Sequence, residues 1–273
     1  MSDLRYLYAI ASARASAAIA GSQLRGIEGG RVEAIVEGAL LGATSVVPAS
    51  EYEEGPLNER LQDLEWLAPR AALHQDVNAK LLELVGTVLP LTFGAIYRGA
   101  GGVRALLQSR AEDLQRRLGA LEGRAEWIVA VERDTSEGGF ASLVPPAGDS
   151  TLQALDADIG RAAPGRAFLL GKKRSEVARD ERRSRDAAIE RETAAAIEAA
   201  AERVFREPLI DDAESPAIAR FSVLAPREGD ADLAAAVGAL NEASAARGYR
   251  VRLSGPWPAY RFGGLPSDRL ASS

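Results

Sequence analysis

Any imidazole chemistry in this chain would have to start from His74, its single histidine. His74 follows Leu73 in a stretch with helical spacing. Asp76 stands two positions on, and that separation does not put two side chains on one helix face. The spacing therefore favours a structural or surface histidine over a catalytic or metal-binding one. The chain has no cysteine, which removes disulfides, thiolate zinc sites, iron–sulfur clusters and thiol nucleophiles. Gly165 to Lys173 loosely follows a phosphate-binding loop. Five residues, Arg166 to Leu170, separate its glycines where four are needed, and Lys173-Arg174 stands where a lysine should precede a hydroxyl. The segment reads instead as a strand running into a charged helix. Gly26 to Gly30 and Gly99 to Gly102 lack the dinucleotide spacing and read as turns. Glu51, Glu53 and Glu54 could meet a hard cation, but without the ligand-and-glycine pattern of a calcium loop they read as a solvated acidic loop.

Two further stretches carry binding potential rather than chemistry. From Lys172 to Asp186 the charges alternate in sign, as on a solvated helix with ion pairs four residues apart; the functional alternative is a docking surface for an acidic partner. Trp257, Tyr260 and Phe262 close the chain as either a latch on the core or a protein-binding strip, and large aromatics in short tails favour the latch. No catalytic, cofactor-binding or metal-binding constellation emerges, which points to a binding or assembly protein.

The elements that would position these residues follow from hydrophobic spacing. The 273 residues suffice for two domains, and 47% are apolar, so a core is expected. A net charge of −6 argues against nucleic acid as a partner. No signal segment is evident and no apolar run reaches the ~18 residues of a membrane span, so the expectation is a soluble, cytoplasmic protein. Leu4 to Ile10 reads as a central strand, Ala11 to Ala20 as a short helix and Gln23 to Glu28 as a possible strand. Arg31 to Val36 and Ala39 to Val47 read as a strand pair turning at Gly38. Leu57, Leu61, Leu64 and Leu67 share a helical face that Pro69 interrupts. Leu73, Val77, Leu81 and Leu84 resume it. Val88 to Tyr97 reads as a buried strand in which Pro90 imposes an edge, a bulge or a bend and Gly94 permits a conformation closed to other residues. Gly99, Gly101 and Gly102 form a loop before one helix from Val103 to Leu121.

Beyond Gly123 the pattern restarts. Ala125 to Arg133 is a strand, Asp134 to Ser150 a loop and Thr151 to Ile159 a short helix. A long helix covers Lys172 to Arg206 and stops at Pro208. Ile218 to Leu224 is a strand, Asp232 to Arg247 a helix burying Leu233, Val237 and Leu240, and Tyr249 to Leu253 the last strand. Each half approximates βαββαβ. The expected fold is α+β: a modified ferredoxin-like domain over 1–123, a second over 124–254, both with extra helices, and an extended C-terminal tail over 255–273.

Five stretches, in order, resemble the gas vesicle family GvpL/GvpF: Tyr6-Leu7-Tyr8-Ala9-Ile10; Trp66-Leu67-Ala68-Pro69-Arg70-Ala71 with His74; Val88-Leu89-Pro90-Leu91-Thr92-Phe93-Gly94 with Tyr97-Arg98; Phe168-Leu169-Leu170; and Leu253 to Phe262. Two departures are Gly171-Lys172, where the family often has a polar or basic pair, and Arg261, where it often has serine. The resemblance implies a non-enzymatic protein of two modified ferredoxin-like domains that resides at the gas vesicle and assists its assembly. It implies binding to the small hydrophobic shell protein, and to other accessory proteins, during shell nucleation or growth. It marks Trp66, Pro69, Pro90, Phe93, Gly94, Gly255, Pro256, Trp257, Pro258, Tyr260 and Phe262 as structural or partner-binding positions. A small-molecule-sensing or regulatory module on tandem ferredoxin-like domains is the alternative.

Overall fold

The computed structural model describes residues 3–135, 150–209 and 215–265. Two compact units form. The first holds the chain through Glu126, Leu224–Glu228 and the stretch from Gly255 onward; the second holds Trp127–Val223 and Gly229–Ser254.

In the first unit, β1 (Leu4–Ser12) leads through a single 3-10 turn into α1 (Ser16–Gly21), then β2 (Glu33–Glu37) and β3 (Leu40–Val47). Helices α2 (Ala49–Tyr52), α3 (Glu54–Arg60) and α4 (Leu64–Val85) follow, then β4 (Leu89–Pro90), β5 (Ile96–Arg98), α5 (Gly99–Ser109) and α6 (Ala111–Leu121). The sheet order is β2-β3-β1-β4, with β5 also pairing β1, and these strand pairs are antiparallel. β1 is buried on both faces, as its near-continuous apolar run dictates. Tyr6 and Tyr8 face one apolar cluster with Trp66, Val77 and Leu81; Leu7 and Ile10 face a second with Val103, Leu107 and Leu114. A β-bulge shifts the register between Leu7, opposite Thr44, and Ala9, opposite Ala43. The extra residue is Tyr8, and the bulge sends both Tyr8 and Ala9 to the first cluster.

The second unit contains α7 (Ser150–Arg161), α8 (Pro164–Ala200), β7 (Arg203–Arg206), α9 (Ala231–Ala245) and most of β6 (Arg124–Arg133), β8 (Ala217–Pro226) and β9 (Tyr249–Trp257); a further turn, α10 (Tyr260–Gly263), belongs to the first unit. Its four strands run in the order β7-β8-β6-β9. The 37-residue α8 packs along α7, and its buried residues, Ile189, Thr193 and Ile197, all lie in its last third. Arg133 on β6 (2.7 Å) and the Tyr249 hydroxyl (2.9 Å) hold Asp186 of α8 against the sheet.

Several expectations need correction. The acidic stretch at Glu51 is helical, not a loop. Pro69 lies inside α4 without ending it. It costs one further bond near the end where four N–H groups are unpaired anyway, and the buried face beyond it carries the helix on. Val88 to Tyr97 takes the bent form that Pro90 allowed, two short strands around a turn. Gln23 to Glu28 forms no strand and contributes one isolated bridge, Arg25 to Arg31. Gly99, Gly101 and Gly102 open α5, and Arg110, at φ −119° and ψ 17°, divides α5 from α6 where one helix was expected. Phe168 to Leu170 lies within α8, which ends at Ala200, so Val204 is a strand residue. Leu240 is half-buried. Most of the expected Asp134 to Ser150 loop lies outside the described residues.

Candidate functional site

Three separate segments of the first unit deliver polar side chains to one buried place, and a fourth delivers backbone groups. His74 sits in α4 with 2% of its surface exposed. Its Nδ1 lies 2.9 Å from the Tyr6 hydroxyl of β1, and its Nε2 lies 3.1 Å from the Leu91 carbonyl. A carbonyl only accepts, so Nε2 carries the proton and Nδ1 accepts from Tyr6. The Tyr6 hydroxyl in turn accepts from the Gly94 N–H at 3.1 Å. Gly94 reaches it at φ +89°, a conformation suited to glycine. The Asn78 amide, one turn along α4, is 3.1 Å from Nε2 and 2.8 Å from the Tyr260 hydroxyl, which is itself 3.3 Å from Nε2.

Aromatic rings fill the remaining space. Phe93 meets Tyr6 and His74 edge-on, each at 5.8 Å between centroids, and Trp66 at 6.4 Å. Burial lowers the His74 pKa to about 4, partly opposed by the bond to the Leu91 carbonyl. Burial raises the pKa of Tyr6 and of Tyr260 well above the usual phenol range. The imidazole is thus neutral and both phenols stay protonated, Tyr6 donating to Nδ1 and Tyr260 accepting from the Asn78 amide. A histidine enclosed in this way presents no face to a substrate, so the arrangement fixes structure rather than moving protons.

An ion cluster adjoins the rings. Arg70 of α4 bonds Glu28 at 2.8 Å and Glu51 at 3.4 Å, and its guanidinium stacks on Trp66, 4.3 Å from the ring centre. The Tyr52 hydroxyl donates to Glu28 at 2.5 Å, and Trp66 Nε1 donates to Glu51 at 2.9 Å. Burial first, then the bond to Glu28, raises the Tyr52 pKa. Tyr8 lies 2.8 Å from Ser45 and accepts from the Ile27 N–H at 2.9 Å. Tyr8 and the Glu28 contacts therefore clamp the segment 22–29 onto the body. Gly26 packs so closely there that a Cβ would collide with the Tyr8 hydroxyl and Ser45.

The clamped segment forms one wall of a cleft of about 600 Å³ whose other wall is α4. Leu24, Arg25 and Ile27 line it from one side, and Leu73, Lys80 and Leu84 from the other.

Of the positions marked in the sequence, Trp66, Phe93, Gly94 and Tyr260 meet around His74. Pro90 pairs with Ala9 at the sheet edge. Pro69 is exposed on α4, while Pro258 is buried. Phe262 packs on the second apolar cluster. Gly255, Pro256 and Trp257 end β9, with Trp257 43% exposed. Glu51 is engaged by Trp66 and Arg70, and Glu53 and Glu54 are exposed, so the three carboxylates do not converge. Gly165 to Lys173 is helical and makes no phosphate loop. Tyr6, Tyr8, Glu28, Arg70 and Asn78 carry the network without having been singled out for it. Arg70, His74 and Asn78 recur every four residues, a polar stripe that could have exposed them.

A family model described as "Gas vesicle synthesis protein GvpL/GvpF" matches residues 4–263. "Gas vesicle protein L" of Streptomyces sp. (strain CB03234) is 30% identical over 267 residues, covering 97% of this chain and 94% of that protein. "Gas vesicle protein L2" of Halobacterium salinarum is 30% identical over 274 residues, covering 96% and 92%. The crystal structure of gas vesicle protein GvpF from Microcystis aeruginosa aligns with a TM-score of 0.62 at 19% identity, covering 97% of this chain and 100% of that one. That likeness gives the fold.

Proposed function

The chain belongs to the GvpL/GvpF family of gas vesicle synthesis proteins, and from that premise we propose that it is a non-enzymatic assembly protein that binds the small hydrophobic shell protein and assists shell nucleation or growth. The sheets support a modified ferredoxin-like reading of both units. Taken in chain order, each places its strands second, third, first, fourth, with β4 and β5 sharing the fourth place in the first unit.

The observation that carries shell binding is the pair Phe168 and Leu169, 74% and 65% exposed on adjacent positions of α8. No residue from Pro164 to Ala188 is fully buried, and Phe168 and Leu169 are among its exposed residues. Arg166, Lys172 and Lys173 are exposed around the pair, an apolar centre with a polar rim as at protein interfaces. A shell subunit that assembles by burying apolar surface needs such a surface covered until it is placed. Other gas vesicle accessory proteins are the second class of partner.

The test is retention of the co-expressed shell protein by the tagged chain, with a Phe168→Ser, Leu169→Ser variant alongside. Both side chains are exposed, so the variant should keep the wild-type melting temperature and lose the shell protein. Equal retention by both proteins would rule out this surface. No retention by the wild type, where other accessory proteins of the cluster succeed, would rule out direct shell binding.

A further inference from the structure

The cleft between α4 and the segment 22–29 has a chemistry of its own. Leu73, Lys80 and Leu84 are separated by seven and four residues, which places them on one stripe of α4. That stripe runs about 16 Å along the helix. Leu73 is 45% exposed and Leu84 39%, although α4 buries Trp66, His74, Val77, Asn78, Leu81 and Leu82 elsewhere. Lys80 stands between the two leucines, and Arg25 faces the cleft from the opposite wall.

Both charged side chains lining the cleft are cations, and no carboxylate lines it among the described residues. Lys80 makes no ion pair among the described residues. Arg25 uses one N–H on the Gly29 carbonyl at 3.3 Å and keeps its other donors. The wall that carries Arg25 is held by Tyr8, Tyr52 and Arg70 rather than by the cleft itself. It is therefore set before any ligand arrives, which lowers the ordering cost of binding.

We propose that this cleft binds an acidic amphipathic peptide segment, its apolar side chains on Leu73 and Leu84 and a carboxylate between Lys80 and Arg25. The leucine spacing suits a partner helix reading successive turns. The elongated stripe fits a peptide better than a compact metabolite. Like-sign charges exclude a second copy of the same surface, because it would bring Arg25 and Lys80 onto their own equivalents.

The test uses the full chain and a fluorescein-labelled amphipathic peptide with leucines on one stripe and glutamates beside them. A second peptide carries lysine for each glutamate, and laurate serves as a small anionic amphiphile. Anisotropy should show saturable binding of the glutamate peptide and at least tenfold weaker binding of the lysine peptide. Lys80→Glu and Arg25→Glu should each weaken the glutamate peptide about tenfold and strengthen the lysine peptide, a reversal that unfolding cannot mimic. Leu73→Ser with Leu84→Ser should remove both, at wild-type melting temperature. Equal binding of the two peptides, or unchanged binding in the charge-reversed variants, overturns the proposal. Binding of laurate without the peptide overturns the peptide as occupant. Retention of the shell protein by Lys80→Glu should be unchanged, which keeps this cleft separate from the α8 surface.

Discussion

Tyr260 places its hydroxyl 2.8 Å from the side-chain amide of Asn78, 182 positions earlier in the chain. The bond joins α10 to the middle of α4, beside the enclosed His74. Replacing Tyr260 by phenylalanine keeps the ring and strands the buried amide. The expected cost is about 1–2 kcal/mol of stability, read as a lower urea midpoint with an unchanged slope. Tyr260→Ala adds a cavity and should cost more. Tyr260 is therefore a core position, unsuited as a surface probe of partner binding.

His74 should make stability fall with acid. The unfolded chain takes up a proton near pH 6.5, whereas the folded imidazole resists until about pH 4. Above pH 6.5 both states are neutral and nothing is lost. Between pH 6.5 and pH 4 the unfolded state binds more protons, so stability drops as pH falls and levels off below. Urea titrations at pH 7.5 and pH 4.5 should show about 2–3 kcal/mol more loss for wild type than for His74→Gln. Carboxylates titrate in both proteins and cancel in that difference. Parallel loss in the two would contradict the neutral, enclosed imidazole.

Gly94→Ala should destabilise by about 1–2 kcal/mol, since φ is +89° there. The strain also moves the amide that bonds Tyr6. Faster hydrogen exchange at Gly94 and along α4 is the accompanying signal. Gly26→Ala should act more locally, loosening the segment 22–29 through its clash with Tyr8 and Ser45.

Arg70→Lys keeps the charge but loses the planar fork that bonds Glu28 and Glu51 and covers Trp66. About 1–2 kcal/mol should be lost. The change should also raise protease cleavage within residues 22–29, because Glu28 is one of that segment's two anchors.

β1, β2 and β3 of the first sheet were legible because their cause is local. Leu4 to Ile10 is apolar enough to be buried on both faces, and Gly38, at φ +56°, marks the turn between β2 and β3. The errors have tertiary causes. The glycines at 99, 101 and 102 suggest a loop, yet they begin a helix whose Val103 and Leu107 are buried. Arg110 carries no breaking signal of its own. Phe168 to Leu170 looks like a buried strand because its residues are apolar, and it is instead the exposed part of a helix. The bulge at Tyr8 leaves no trace in the alternation of its neighbours. The His74 site draws on residues 6, 74, 78, 91, 94 and 260, whose meeting depends on the folded topology. Resemblance could mark Trp66, Phe93, Gly94 and Tyr260, but what they surround was not readable.

The first unit is not finished by the first half of the chain. Leu224, Ala259 and Leu265 belong to its second apolar cluster, and Leu265 bridges Leu91 beside β4. During synthesis, α5 and α6 must therefore wait with an incomplete core while more than a hundred later residues emerge. A nascent chain stopped at residue 254 would lack Tyr260 beside Asn78 and Leu265 beside Leu91, and would leave the cluster of Leu89, Leu114 and Leu121 incomplete. Completion of the N-terminal unit thus waits until residue 265 has emerged, and a copy cut before residue 255 would carry an open core.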